Sequence, residues 1–400
     1  MAGRHFSDSI QLPPVRVHGH VTRDTCPGRN PAFIRILFYY SFDYSIINFT
    51  FIERSNSERV MNCNHRNCVC CSDFHSKVSS FVPDDVRMFF FGSPLMDVTA
   101  NVGDDVLGKY RLDRDNAYVV DETNRGLFDE VRATSVQVGG SVTNTARTVC
   151  RLRGSPRNVT YLGTVGDDEY GEMIKKQLGK EGLSGGLRQV GGNTGKVAVL
   201  LMGKARTLVT DLGVSRSFSL DEETWRRISD GPSLVYLSGF FISVSLDTIT
   251  KLATTSQTVA FNLGAPFLSK KFPQEMTHLY ENASIVFGNE AEHRAFAQIH
   301  NITSNHVVEV VAATNRRFDN KSRVVVVTRG GGAVVVFHDS DWQVFEVKKV
   351  VEVVDSNGAG DAFAGGFLAR YVEGDSIANC VRSGVEVAGR VIQRVGFNLD

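Results

Sequence analysis

The stretch Asp355-Ser356-Asn357-Gly358-Ala359-Gly360-Asp361-Ala362-Phe363-Ala364-Gly365-Gly366-Phe367 decides how this chain is read. A β-branched run, Val350 to Val354, precedes it and reads as a strand feeding a glycine turn. The turn opens an apolar helical stretch with a carboxylate, Asp361, in its first turn. Glycines allow conformations in which successive N–H groups converge, and a helix N-terminus adds roughly half a positive charge. Such a point holds an anion, and the carboxylate beside it can accept a proton from a hydroxyl.

Two familiar phosphate loops do not fit. A dinucleotide fingerprint needs G-x-G-x-x-G, yet Phe363 stands at the third glycine. A P-loop needs G-x-x-x-x-G-K-[ST]; Gly360 and Gly365 match its spacing, but Gly366 stands where lysine is required. What remains is a backbone cradle, with Gly358, Ala359 and Gly360 as its amides and Asp361 as a base that is ionised at neutral pH. A weak base suffices for phosphoryl transfer, which depends mainly on positioning and electrostatics. The alternative role for Asp361 is that of a helix-dipole residue, contributing about 0.3–1 kcal/mol. Gly365 and Gly366 fall inside the helix, where each costs about 0.8–1.0 kcal/mol relative to Ala, so close packing against a neighbour is expected there. Phe363, Phe367 and Tyr371 recur every four residues and form the buried face.

Outward from this point, residues from 88 onward alternate short apolar runs with helical segments. The runs are 88–91, 159–162, 234–237, 259–262, 285–287, 324–328 and 334–337; the helices are 141–152, 169–181, 246–255, 290–300 and 305–317. Ser245 and Asn289 suit N-caps. Near-continuous apolar runs alternating with helices imply an α/β layer fold with a mainly parallel sheet, whose ligands gather at the carboxyl ends of the strands. Residues 97–140 and 194–214 break the alternation and read as a small separate sheet that could cover the site and exclude water.

The chain has 400 residues, 42% hydrophobic and 22% charged, with a formal net charge of +0. This is the balance of an ordinary soluble protein, without the basic excess of a nucleic-acid binder. Cys150 and Cys380 lie in apolar contexts and need only a reducing interior. The first 84 residues lack the alternation and read as a poorly ordered extension, leaving 85–400 as the folded domain. Their longest apolar run, 32–52, is interrupted by Arg35 and Asp43, so no membrane span is expected. Cys63, Cys68, Cys70 and Cys71, with His65 and His75 nearby, match no paired zinc spacing.

The Asp355–Phe363 run resembles the C-terminal signature of the PfkB (ribokinase-like) family of sugar and nucleoside kinases. The similarity covers about residues 88–397. Further segments are similar to the nucleoside-phosphorylating members: Gly92–Asp97, Gly139–Asn144, Ser238–Phe241, Asn262–Phe267 and Phe287–Glu292. The resemblance implies a three-layer α/β/α domain with a small β-rich lid. It implies transfer of the ATP γ-phosphoryl group, with Mg²⁺, to the 5′-hydroxyl of adenosine.

On that resemblance Asp97, Gly139, Gly140, Ser141 and Asn144 would hold the ribose and Phe240 would stack on the base. Arg206 would reach the transferring phosphate. Thr328, Gly330, Asn357 and Asn289 would face ATP, and Asn289 with Glu292 would organise Mg²⁺ through water. A monomer in the cytoplasm or nucleus is expected, binding neither nucleic acid nor membrane. The chain departs from the family at Ser93, where Asn is usual, and at Gly264, where Ser is usual; it also ends soon after Gly396-Phe397. Neither of the last two features is expected to touch the chemistry directly. The alternatives are a sugar kinase or another nucleoside kinase of the same fold, and a nucleoside-binding protein without catalysis.

Overall fold

A computed structural model describes residues 86–400, except 204, 256, 319–321, 340, 349, 351 and 400, together with the backbone of three N-terminal strands. The chain divides into two compact units, Met1–Phe81 and Val82–Asp400. In the first, Ile34–Phe38, Phe49–Glu53 and Met61–Cys63 form an antiparallel sheet in that order. Beyond the backbone of these strands, the residues of the expected loose extension, with Cys68, Cys70 and Cys71, lie outside those described.

The second unit is built on a nine-stranded sheet. Its order is Asp341–Phe345, Val334–His338, Val324–Thr328, Ile285–Asn289, Thr258–Asn262, Ser233–Ser238, Arg87–Phe91, Val159–Gly166, Leu187–Val190. The seven strands from Val324–Thr328 to Leu187–Val190 are parallel; the two at the other edge are antiparallel. Central strands are buried on both faces, which is why their sequences read as continuous apolar runs. In Arg87–Phe91, Met88 and Phe90 point to one core, and Phe89 and Phe91 to the other.

Helices Ser141–Arg153, Glu169–Lys180, Ala359–Tyr371 and Ile377–Val391 bring Val149, Ile174, Phe367 and Val381 against the first face. Helices Leu246–Ala253, Pro273–Asn282, Glu290–Gln298 and Val307–Arg317 bring Ile249, Leu279, Phe296 and Val311 against the second. The architecture is therefore the ribokinase-like α/β/α sandwich.

A five-stranded sheet stands beside it, ordered Ala117–Val119, Ala205–Asp211, Lys196–Met202, Leu95–Asn101, Ser135–Gly139. One face holds its own core of Leu107, Tyr110, Leu112, Leu127, Ala198, Leu200 and Val209. Leu95, Val197 and Val199 form a separate apolar cluster and line a cavity.

One expected element is not there. The described residues of 350–354 form no strand: Val354 N–H donates to Ile392 O at 2.8 Å, and Val353 and Val354 are exposed. The β-branched composition suited a strand, but the segment pairs with the end of the last helix instead of a sheet edge. Gly365 and Gly366 are explained as expected. A Cβ on Gly365 would lie 2.5 Å from Thr148 Cβ, and one on Gly366 2.9 Å from Gly384 Cα. The helix is thus wedged between two neighbours, and Ala362 to Ala369 are all buried.

Candidate active site

Five neighbouring parallel strands end at one place. Gly92, Ser238, Asn262, Asn289 and Thr328, at or just past their carboxyl ends, line a cavity of ≈ 350 Å³. The second sheet contributes Leu95, Asp97, Tyr118, Val197, Val199, Arg206 and Leu208, so the cavity lies between the two sheets. Its volume suits a small molecule of a few rings.

The helix Ala359–Tyr371 points its N-terminus into this cavity through Gly358, Gly360 and Asp361. Gly358 is the N-cap at φ 74°, a left-handed conformation that favours glycine, and no side chain caps the helix. The first N–H groups of a helix have no partner one turn back within it; here the Ala359 N–H turns back to Ser356 O at a long 3.4 Å. A Cβ on Gly360 would meet nothing within 4 Å; a glycine there keeps the space in front of the amides open.

Asp361 is gripped by the facing helix. Ser141 Oγ donates to Asp361 Oδ1 at 2.6 Å and Asn144 Nδ2 to Oδ2 at 3.2 Å. Serine and asparagine three apart share one helix face. Asp361 keeps surface open to the cavity, yet the walls cut it off from bulk water. Burial pushes its carboxyl up to about 6, against the pull of Ser141, Asn144 and the Arg206 charge. Asn144 Oδ1 is buried without a partner, which leaves an acceptor for a donor entering the cavity.

Asp97, 8% exposed, sits on the second sheet opposite. Burial, then repulsion from Asp361, pushes its carboxyl up to about 7. A Cβ on Gly139 would lie 2.3 Å from the Asp97 carboxyl, so glycine lets that carboxylate fit. Gly140, at φ 101°, approaches Ser93 O, which a Cβ would meet at 2.5 Å. Across the cavity, Asn289 and Glu292 cap their own helix reciprocally: Glu292 N–H donates to Asn289 Oδ1 at 2.9 Å, and Asn289 N–H to Glu292 Oε2 at 2.9 Å. Burial holds the Glu292 carboxyl up at about 7.

Of the residues singled out in the sequence, Asp97, Gly140, Ser141, Asn144, Arg206, Phe240, Asn289, Glu292, Thr328, Asn357, Gly358, Gly360 and Asp361 line one cavity. Gly139 backs Asp97, and Ala359 and Gly330 lie outside the lining. Arg206 pairs with Asp355 at 3.5 Å. Phe240 is 38% exposed, with Phe267 6.4 Å away between ring centroids.

Two features that were not expected to touch the chemistry directly lie close to the site. Gly264 lines the cavity, with φ 81°, and a Cβ there would lie 3.1 Å from Phe240. Gly396 N–H donates to Asp355 Oδ2 at 3.0 Å, and Phe397 lies against Gly358. Sequence reading also missed Tyr118, Phe267 and Leu208 on the apolar wall, and the grip of Ser141 on Asp361. The Ser141/Asn144 spacing was the one available signal for the last.

Among the described residues no cluster of three or more His, Cys, Asp or Glu could cage a metal. A buried carboxylate and an amide at Glu292 and Asn289 fit Mg²⁺, which keeps most of its waters and takes few protein ligands.

The profile of the pfkB family carbohydrate kinases matches residues 112–400. The adenosine kinase of Saccharomyces cerevisiae is 32% identical over 323 residues, 76% of this chain and 94% of that one. The structure of Schistosoma mansoni adenosine kinase in complex with adenosine and AMP superposes with a TM-score of 0.71 at 29% identity, covering 78% of this chain and 97% of that one. Anopheles gambiae adenosine kinase in complex with P1,P4-di(adenosine-5) tetraphosphate gives 0.70 at 28% identity, covering 77% and 96%. With the cradle signature, the strand-end cavity and a match over most of its length, the chain belongs to the pfkB family of carbohydrate kinases.

Proposed function

We propose that this chain is an adenosine kinase, transferring the γ-phosphoryl group of ATP to the 5′-hydroxyl of adenosine to give AMP and ADP, a purine salvage reaction. The observation that carries the reading is the position of Asp361: a half-buried carboxylate, open to the cavity, at an uncapped helix N-terminus in the same cavity as Asp97. The apolar wall of Val197, Val199, Leu208, Phe240 and Phe267 suits a purine, which a free sugar would leave unmatched. The resemblance to adenosine kinases over nearly their full length points the same way.

Asp97, with Gly140 and the free Oδ1 of Asn144, accepts from the ribose hydroxyls, while Phe240 packs on the base. The 5′-hydroxyl then faces Asp361, whose carboxylate takes its proton as the oxygen attacks the γ-phosphorus. The bond to the β-phosphate oxygen breaks and ADP leaves. The amides of Gly358, Ala359 and Gly360 face the charge that spreads over the transferring group, and Arg206 adds a cation. Asn289, Thr328, Asn357 and the loop at Gly330 lie towards the ATP side. Mg²⁺, when bound near Glu292 and Asn289 through water, supplies positive charge for the ATP phosphates. The second sheet acts as the lid that excludes water. Among the described residues no helix is long and apolar enough to cross a membrane. A monomer in the cytoplasm, with buried free thiols at Cys150 and Cys380, fits this reading.

Asp361→Asn tests the assignment. The fold and the dissociation constant for adenosine should be kept while kcat drops at least about 10²-fold, the low end for losing a general base. Near-normal turnover would remove Asp361 from the chemistry.

A further inference from the structure

A glycine cradle has a physical weakness. Glycine at φ 74° adopts that conformation without strain, but nothing intrinsic holds it there. No side chain caps this helix, so the geometry of the amides must be fixed from outside. The last residues of the chain provide the bracing.

Phe397 is 5% exposed and packs in a small cluster with Ala362, Val387 and Val391. Ala362 follows Asp361 directly in the first helical turn. The same ring fills the space on the other side of the cradle glycine: a Cβ on Gly358 would lie 2.5 Å from Phe397 Cδ2 and 3.1 Å from Cε2. The ring therefore packs beside both ends of the segment that carries the amides and Asp361.

Two further contacts hold the ring and the loop. The Arg147 guanidinium lies 5.5 Å from the ring centroid. Glu181 fixes that guanidinium, accepting from Nε at 2.9 Å and from Nη2 at 3.0 Å. The loop before the cradle is tied to the same terminus, because Asp355 accepts from Asn357 N–H at 2.8 Å and from Gly396 N–H at 3.0 Å. The ring also borders an open cavity of ≈ 850 Å³ lined by Arg147, Met173, Val395 and Leu399. On that side Leu399 packs against the cluster and the Arg147 guanidinium lies over the ring.

We propose that Phe397 is a positioning residue for phosphoryl transfer, clamping Gly358 and the first turn of the Asp361 helix so that the amides converge on the transferring group. This rests on the reading of the site as an adenosine kinase. The ring touches no substrate; it acts through Gly358 and Ala362.

Three variants of the full chain test it: Phe397→Ala, Phe397→Tyr and Val387→Ala. Phe397→Ala should lower kcat about 10- to 100-fold, since a misplacement of the order of 1 Å costs about 10² in rate, with KM for adenosine moving less than about threefold. Phe397→Tyr keeps the ring and can place its hydroxyl in the adjoining cavity, so it should restore most of kcat. Val387→Ala thins the same apolar cluster but leaves the ring on Gly358, so it should lower the melting temperature without the kcat loss. Amide hydrogen exchange at 357–361 in the unliganded protein should rise in Phe397→Ala alone. The proposal is overturned if Phe397→Ala keeps kcat within about twofold, or if Val387→Ala loses as much. If the parent chain makes no AMP, the kinase reading fails, and the exchange measurement still decides whether Phe397 holds the cradle.

Discussion

Two helices point their N-termini into the same cavity, and they end in opposite ways. Glu290–Gln298 is closed by its own side chains, with Asn289 and Glu292 exchanging hydrogen bonds in a capping box. Ala359–Tyr371 begins at Gly358 with no side-chain cap at all. A capped terminus has satisfied its amides and offers a carboxylate; a bare one offers amides and partial positive charge. One cavity therefore has an end suited to a cation and an end suited to an anion. The Glu292 carboxyl, held up at about 7, stands near the first, and the cradle forms the second. On the proposed reading, that polarity would place the metal on one side and the transferring phosphoryl group on the other.

The sharpest way to break the comparison is to fill the bare end. Gly358→Ala adds a methyl group where φ is 74° and Phe397 Cδ2 would be 2.5 Å away. It should reduce kcat about 10²-fold or more, the loss seen when an oxyanion donor is displaced, with a smaller change in adenosine affinity. An unchanged kcat would mean the amides of that turn do not face the reacting group.

The next effect comes from pH. As the proposed base Asp361 would act only when ionised, and its carboxyl is raised to about 6. Turnover per KM should therefore fall about tenfold per pH unit below roughly 6, where an Asp at its ordinary value would stay active to about 4. Stability runs the other way. Asp97, raised to about 7 from 3.8, binds more protons folded than unfolded between those values. The unliganded protein should thus lose stability as pH rises from about 4 to about 7, measured by thermal unfolding across that range. A profile that stays flat in activity to pH 4 would deny the desolvated base.

The smallest effect belongs to the capped end. Asn289→Ala removes the cap and should cost about 0.5–2 kcal/mol in unfolding free energy, with a modest rise in KM for ATP. If instead it abolished turnover while leaving stability intact, the capped terminus would be the site of transfer and the assignment of the two ends would be reversed.

The sequence made the central sheet readable because its middle strands are buried on both faces and carry little besides apolar residues, as in Val324–Val327. It hid Asp341–Phe345, an edge strand whose side chains are mostly exposed and so carry no apolar run. It misled at 350–354, where Val354 is tied to Ile392. In the site, Asp97, Asn144, Glu292 and Asp361 were legible as polar residues that line one cavity. Their mutual contacts were not, because Ser141 and Asp361 meet across 220 residues of chain. Gly264, Gly396 and Phe397 come close to the site through backbone conformation and packing, which residue identity alone does not announce.

The most direct measurement is ADP release from Mg-ATP with adenosine, inosine, guanosine, ribose and fructose as acceptors, with the product from adenosine identified as AMP. The account predicts that adenosine exceeds each of the two free sugars in kcat/KM by at least about 10²-fold, since only it fills the apolar wall and meets Asp97 together. Comparable or faster turnover of ribose or fructose would contradict it and make this chain a sugar kinase.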